Sequence, residues 1–205
     1  MLARSPVLLL VLFPVLSLAE GRFDPLRKDA QPFDGGLGDF LELYLGDCGQ
    51  ASSSANCKSR SQQFQAQAKG KRFYALLRED EAGMVGMSDG TAHGGDFTVE
   101  ITPFFPGNEH ALTNAVPKKL DPRGYPILPV LMIPGTLPPG ETVDDMIRLF
   151  KNRGVRLELL FTPEEPWAVA RKTGGKLTGV KARLDAMQVT SRTGTVLATW
   201  VAPGK

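Results

Sequence analysis

The side chains best suited to acid–base or metal chemistry are Asp89, His93 and Asp96, which lie in and beside a glycine-rich stretch from Gly83 to Gly95. Glu109 and His110 follow in the next polar stretch, and two loops could bring these groups together. A metal site needs three or four convergent ligands, and nothing in this spacing forces convergence. Polar loops are also what a water-exposed surface ordinarily presents. His93 and His110 are the only histidines. The chain has no His-Glu-x-x-His, no Cys/His zinc pattern and no Ser-x-x-Lys. Gly174-Gly175-Lys176 lacks the rest of a phosphate loop. No residue is therefore given a catalytic role, and neither a metal nor a cofactor is expected.

A second set suits binding. Lys118, Lys119, Arg123, Arg171, Lys172 and Lys176 lie in loop-like stretches near the aromatics Tyr125 and Trp167. Cations beside aromatic platforms could form a groove for an anionic ligand. Trp167, just after Pro163 and Pro166, is either an exposed anchor or a lid on the core; large aromatics are buried on average, which favours the lid. The plain alternative is a solvated surface. The whole chain has 24 basic and 22 acidic residues, so no global field draws it to nucleic acid or membrane. The expected ligand-binding residues are Trp167, Tyr125, Lys118 and Lys119.

Met1 to Ala19 has the three parts of a secretory signal peptide. Arg4 is its single positive charge, Val7 to Leu16 is nearly continuous Val, Leu and Phe, and Ser17-Leu18-Ala19 supplies small residues for cleavage. The apolar run is short of the ~20 residues a membrane span needs. Export to the periplasm or the medium is expected, with no membrane span in the mature protein. Cys48 and Cys57 are the only cysteines. In an oxidising compartment the pair reads as a structural disulfide worth about 2.5–3 kcal/mol.

Several elements must position these groups. Residues 20–36, with Pro25 and Pro32, read as an extended lead-in. Leu37, Phe40, Leu41, Tyr44 and Leu45 fall at helical spacing up to Gly46, and a second helix is expected from about Cys57 to Ala68. The disulfide would tie these two short helices within residues 37–70. Residues 71–205 read as a β-rich unit packed with them. Phe73 to Leu77 and Phe97 to Ile101 alternate as strands, residues 107–125 lack periodicity, and proline-rich Ile127 to Ile133 reads as an edge strand or polyproline segment. Thr142 to Arg153 is an amphipathic helix with Gly154 as its C′ residue. Val155 to Phe161 is a strand broken by Pro163 and Pro166; Val180 onward is a strand whose phase slips near Ala186-Met187, as at a β-bulge; Val196 to Trp200 is the last. The expected class is α+β, mainly β. One helix between the third and fourth strands suggests a small bent sheet or a partly closed, OB-like barrel.

Gly70-Lys71-Arg72, Thr102 to Gly107, Pro117-Lys118-Lys119, Phe161-Thr162-Pro163 with Trp167, and Gly174-Gly175-Lys176 together resemble an uncharacterised family of exported bacterial proteins, catalogued only as a domain of unknown function. The resemblance covers most of the mature chain and both cysteines. It implies bacterial export and carries over no catalytic residue. The expectation is a non-enzymatic exported protein that binds an unknown ligand or an envelope partner. The alternatives are an exported hydrolase-like or metal-dependent enzyme using the 89–96 loop, and single-stranded nucleic-acid or oligosaccharide binding on an OB-like barrel.

Overall fold

Two sixteen-residue strands, β8 (Val155–Ala170) and β9 (Lys176–Ser191), pair antiparallel along their whole length and form the spine of the protein. The computed structural model describes residues 17–33, 35–47, 54–77, 85–90, 94–172 and 174–204. On the outer edge of β8 lies β2 (Phe73–Leu77), followed by the two-residue parallel β1 (Gln31–Pro32). The other edge of β9 is shared. Its first half pairs in parallel with β6 (His110–Thr113), which forms a hairpin with β5 (Phe104–Gly107). Its second half pairs with β10 (Val196–Val201), and the sheet continues through β7 (Leu131–Gly135) and β4 (Phe97–Ile101) to β3 (Val85–Ser88).

The protein is thus α+β and mainly β, but the ten-stranded mixed sheet ends at β1 and β3 and does not close. The OB-like closure expected from the element order is not reproduced. β7, expected at an edge, is paired along β4 and joins the β10 ladder at one pair, Gly135 opposite Ala198.

The core follows the strand alternation. Val155, Leu157, Leu159 and Phe161 of β8 face one side, where α2 (Gly36–Leu45) and α3 (Ser54–Ala68) cover the sheet. Phe33, Phe40, Tyr44, Phe64, Phe73 and Phe161 form a continuous cluster of rings there. Gly46 ends α2 in the left-handed conformation at φ 74°, as its position predicts. The stretch expected to be extended is instead largely α1 (Ser17–Lys28). Its Phe23 is fully buried with Leu160 and Ala186 on the opposite face. Arg27 is 3.1 Å from Glu158 and lies over the Tyr74 ring. Burial, and then Glu158, push the Tyr74 phenol up to about 12.

The fourth helix, α4 (Val143–Lys151), begins with a reciprocal capping box between Thr142 and Asp145. Asp145 is held below the usual carboxylate range by the Thr142 hydroxyl and backbone N–H and by Arg148. Thr142→Ala is expected to cost about 1 kcal/mol, read as a lower urea midpoint with unchanged slope. The left-handed residue after α4 is Arg153, φ 53°, rather than Gly154. An added Cβ at Gly154 would meet Leu149 Cδ1 at 2.5 Å, so the half-buried Leu149 side chain would have to turn to admit it.

The expected bulge falls between Leu160–Ala186 and Phe161–Leu184, leaving Asp185 as the extra residue. Simple alternation would leave this side chain in water, yet it is fully buried. Its carboxylate accepts from Thr162 Oγ1 at 2.7 Å, Arg183 Nε at 3.0 Å and Arg72 Nε at 3.2 Å. Its carbonyl accepts from Ala202 N at 2.9 Å.

Candidate functional site

Two tight turns meet at one end of the β8–β9 spine. The hairpin turn between these strands reverses through consecutive left-handed glycines, Gly174 (φ 92°) and Gly175 (φ 77°), and carries Arg171 and Lys172. The second turn spans 119–127. Leu120 bridges Pro126, Ile127 N–H donates to Lys119 O at 3.2 Å, and Asp121 N–H donates to Tyr125 O at 2.7 Å. Asp121 Oδ1 accepts from the N–H groups of Arg123 and Tyr125, both at 2.9 Å. Those two residue types, aspartate then glycine at φ 89°, are what let a four-residue reversal form here.

Between the turns lies a groove of about 210 Å³ lined by Arg123, Tyr125, Arg171 and Lys172 over an apolar floor of Phe104, Leu120 and Leu177. The Tyr125 and Phe104 rings meet edge to face, with centroids 6.0 Å apart. Asp121 is the one carboxylate of the lining, and it is occupied. The Tyr125 N–H, then the Arg123 N–H and guanidinium, hold it below its ordinary range, with Arg123 Nε 3.5 Å away. The arrangement offers Arg171, Lys172 and a phenol to an anion, with Arg123 beside them facing Asp121.

Of the four residues expected to bind, Tyr125 alone lines this groove. Lys118 and Lys119 are exposed on the arm leading into the turn. Trp167 is only 6% exposed and belongs to the small core beneath, with Phe104, Ala111 and Leu177. It supports the groove floor rather than touching a ligand there, in keeping with a lid and against an exposed anchor. Phe104, Leu120 and Leu177 carried no sequence signal as lining residues, because only the β5–β6 hairpin brings Phe104 under the turn.

Among the described residues the acid–base candidates form no cluster of three. Asp96 Oδ2 accepts from Leu137 N–H at 2.8 Å, Asp89 is exposed, and His93 lies outside the described residues. Among the described residues no three His, Cys, Asp or Glu side chains are grouped to hold a metal. Glu109 is exposed, whereas His110 is buried. His110 Nδ1 lies 2.7 Å from Thr178 Oγ1, at the first paired position of β6 and β9. Its Nε2 is 3.2 Å from Asp47 Oδ2, without hydrogen-bond geometry. This group ties α2, β6 and β9 together. A further cavity of about 500 Å³ separates α4 from the Ser191–Thr195 turn, whose hydroxyls pair with one another. Cys57 is buried in α3, and Cys48 lies outside the described residues, as do residues 1–16 of the expected signal peptide. No helix among the described residues is long and apolar enough to cross a membrane.

The fold and groove define a mainly β, α+β protein with a small cationic cleft at the tip of its longest hairpin. A family model described as a family of unknown function, DUF6066, matches residues 3–205, and the chain belongs to that family. Neither curated proteins nor solved structures yield a match.

Proposed function

We propose that this is an exported, non-enzymatic binding protein whose ligand presents an anionic group to the cleft between the 119–127 turn and the β8–β9 turn. One observation carries the reading: Arg123, Arg171, Lys172 and Tyr125 line a single groove whose only carboxylate is already satisfied by its own loop. Guanidinium and ammonium groups are suited to phosphate or carboxylate oxygens. Phe104 and Leu177 beneath them give the ligand an apolar floor. Export follows from the Arg4, Val7–Leu16 and Ser17-Leu18-Ala19 pattern. In an oxidising compartment Cys48 and Cys57 would staple α2 to α3.

The test is calorimetric titration with inorganic pyrophosphate. Arg171→Ala with Lys172→Ala is expected to weaken binding by about a hundred-fold or more, since each lost charge-assisted contact is worth roughly 1.5–3 kcal/mol. Raised salt should weaken the wild type. Equal affinity in wild type and variant would place the site elsewhere.

A further inference from the structure

The cleft does not stand alone on its face. Residues 116–132 and 168–178 together hold six lysines and arginines and one aspartate, on a chain whose total formal charge is only +2. The positive charge is concentrated at this end and the remainder is net negative. The same stretch carries most of the exposed large apolar side chains among the described residues: Tyr125 is 48%, Ile127 63% and Val130 47% exposed, with Val116 and Met132 close behind. Leu120 and Leu128 point inward onto Phe104, Trp167 and Leu177, which fixes Ile127 as outward-facing. Met132 lies opposite Glu100 in the β4–β7 register and marks the border of the patch.

We infer that this end of the molecule seats on an anionic phospholipid bilayer, with Tyr125, Ile127 and Val130 in the interfacial layer. Lys118, Lys119, Arg123, Arg171 and Lys172 then meet the headgroup phosphates. The inference rests on the groove reading above, and makes its anion the phosphate of a lipid. A small soluble anion gives no role to three exposed apolar side chains. A protein interface is enriched in aromatics and arginine but depleted of lysine, whereas Lys118, Lys119, Lys172 and Lys176 lie here. Basic and apolar residues are interleaved in space: the turn sets Ile127, whose N–H donates to Lys119 O, beside Lys119, and Arg123 stands two residues from Tyr125. That interleaving matches the bilayer surface, where anionic headgroups lie directly above the acyl boundary and tyrosine favours the interface.

The experiment is co-sedimentation of the purified protein with phosphatidylcholine vesicles, with and without phosphatidylglycerol, alongside calorimetry with inorganic pyrophosphate. The wild type is expected to pellet with the phosphatidylglycerol vesicles only, and less in high salt. Ile127→Ser with Val130→Ser is expected to reduce vesicle binding at least about ten-fold, while pyrophosphate binding and the circular dichroism spectrum stay unchanged. Both residues are exposed, so the fold tolerates the change. Pyrophosphate binding without vesicle binding overturns the bilayer inference and leaves the groove reading standing, with a soluble or protein ligand. Loss of both overturns the two together. Vesicle binding that ignores Ile127 and Val130 also overturns the inference, because it would then use another face.

Discussion

Asp185→Ala is expected to lower the unfolding free energy by about 3–5 kcal/mol, the cost of removing one partner from a buried ion group. The carboxylate is fully buried at the bulge. Arg72, whose side chain is 16% exposed, would lose its counter-charge, while Arg183, 49% exposed, can turn to solvent. Most of the loss therefore comes through Arg72 and Thr162. Arg72 also donates to Leu26 O at 3.3 Å, so the variant should loosen α1 as well. Asp185→Asn, which keeps an acceptor but not the charge, should fall between.

The same group sets an acid limit. Burial pushes the Asp185 carboxyl up, but hydrogen bonds from Thr162 and Arg183 and the neighbouring guanidiniums outweigh it, and the net shift is downward. A depressed carboxyl contributes its stability above the unfolded value of about 3.9 and loses it as pH falls through the lower folded value. Urea midpoints of wild type and Asp185→Asn should therefore differ at neutral pH and converge below about pH 4. A constant difference down to the acid transition would mean that the charge of Asp185 is not what stabilises the bulge.

Gly179→Ala is the second large effect, about 3 kcal/mol from overpacking. An added Cβ would stand 2.2 Å from Ala111 O and 2.4 Å from Trp167 Cζ2. Neither obstacle can yield easily: β9 is held by β8 on one side and β6 on the other, and Trp167 is sealed in its small core. Gly86→Ala is the control, since its Cβ would lie 3.9 Å from Glu100 and should change little. Because Phe104 and Leu177 share that core with Trp167, Gly179→Ala should also weaken pyrophosphate binding at the groove. Wild-type stability for Gly179→Ala would show that the β6–β9 contact is looser than this packing requires.

The contrast between these two sites shows what a sequence can carry. α4 was legible because Thr142, the apolar stripe and the terminal charges all act within one helix. The bulge was legible as a phase slip, yet the burial of Asp185 was not, since its partners Arg72 and Thr162 come from other strands. Pro163 and Pro166 suggested that β8 should stop. It runs on because beyond Phe161 its outer edge has no partner among the described residues, where a missing N–H is tolerated. β6 showed no alternation because all four of its residues are buried. α1 was hidden by Pro25, although Phe23 had an apolar face to fill. At the candidate site, the basic and aromatic residues were visible as a set. Trp167 was separated from Tyr125 only by knowing which face of β8 it occupies.

The position of the β8–β9 spine in the chain also sets an order of events in time. Among the described elements, Val155 is made only after all four helices and the first seven strands, and β2, β6 and β7 find partners in β8, β9 and β10. β3, β4 and β7 can pair with one another and β5 with β6 before then, but β2 and the spine-facing edges of β6 and β7 must wait, and such long-range pairing is slow. The hairpin itself is local: once Ser191 emerges it can close on its own turn and become the template on which the waiting strands assemble, the last step arriving with the last-made residues.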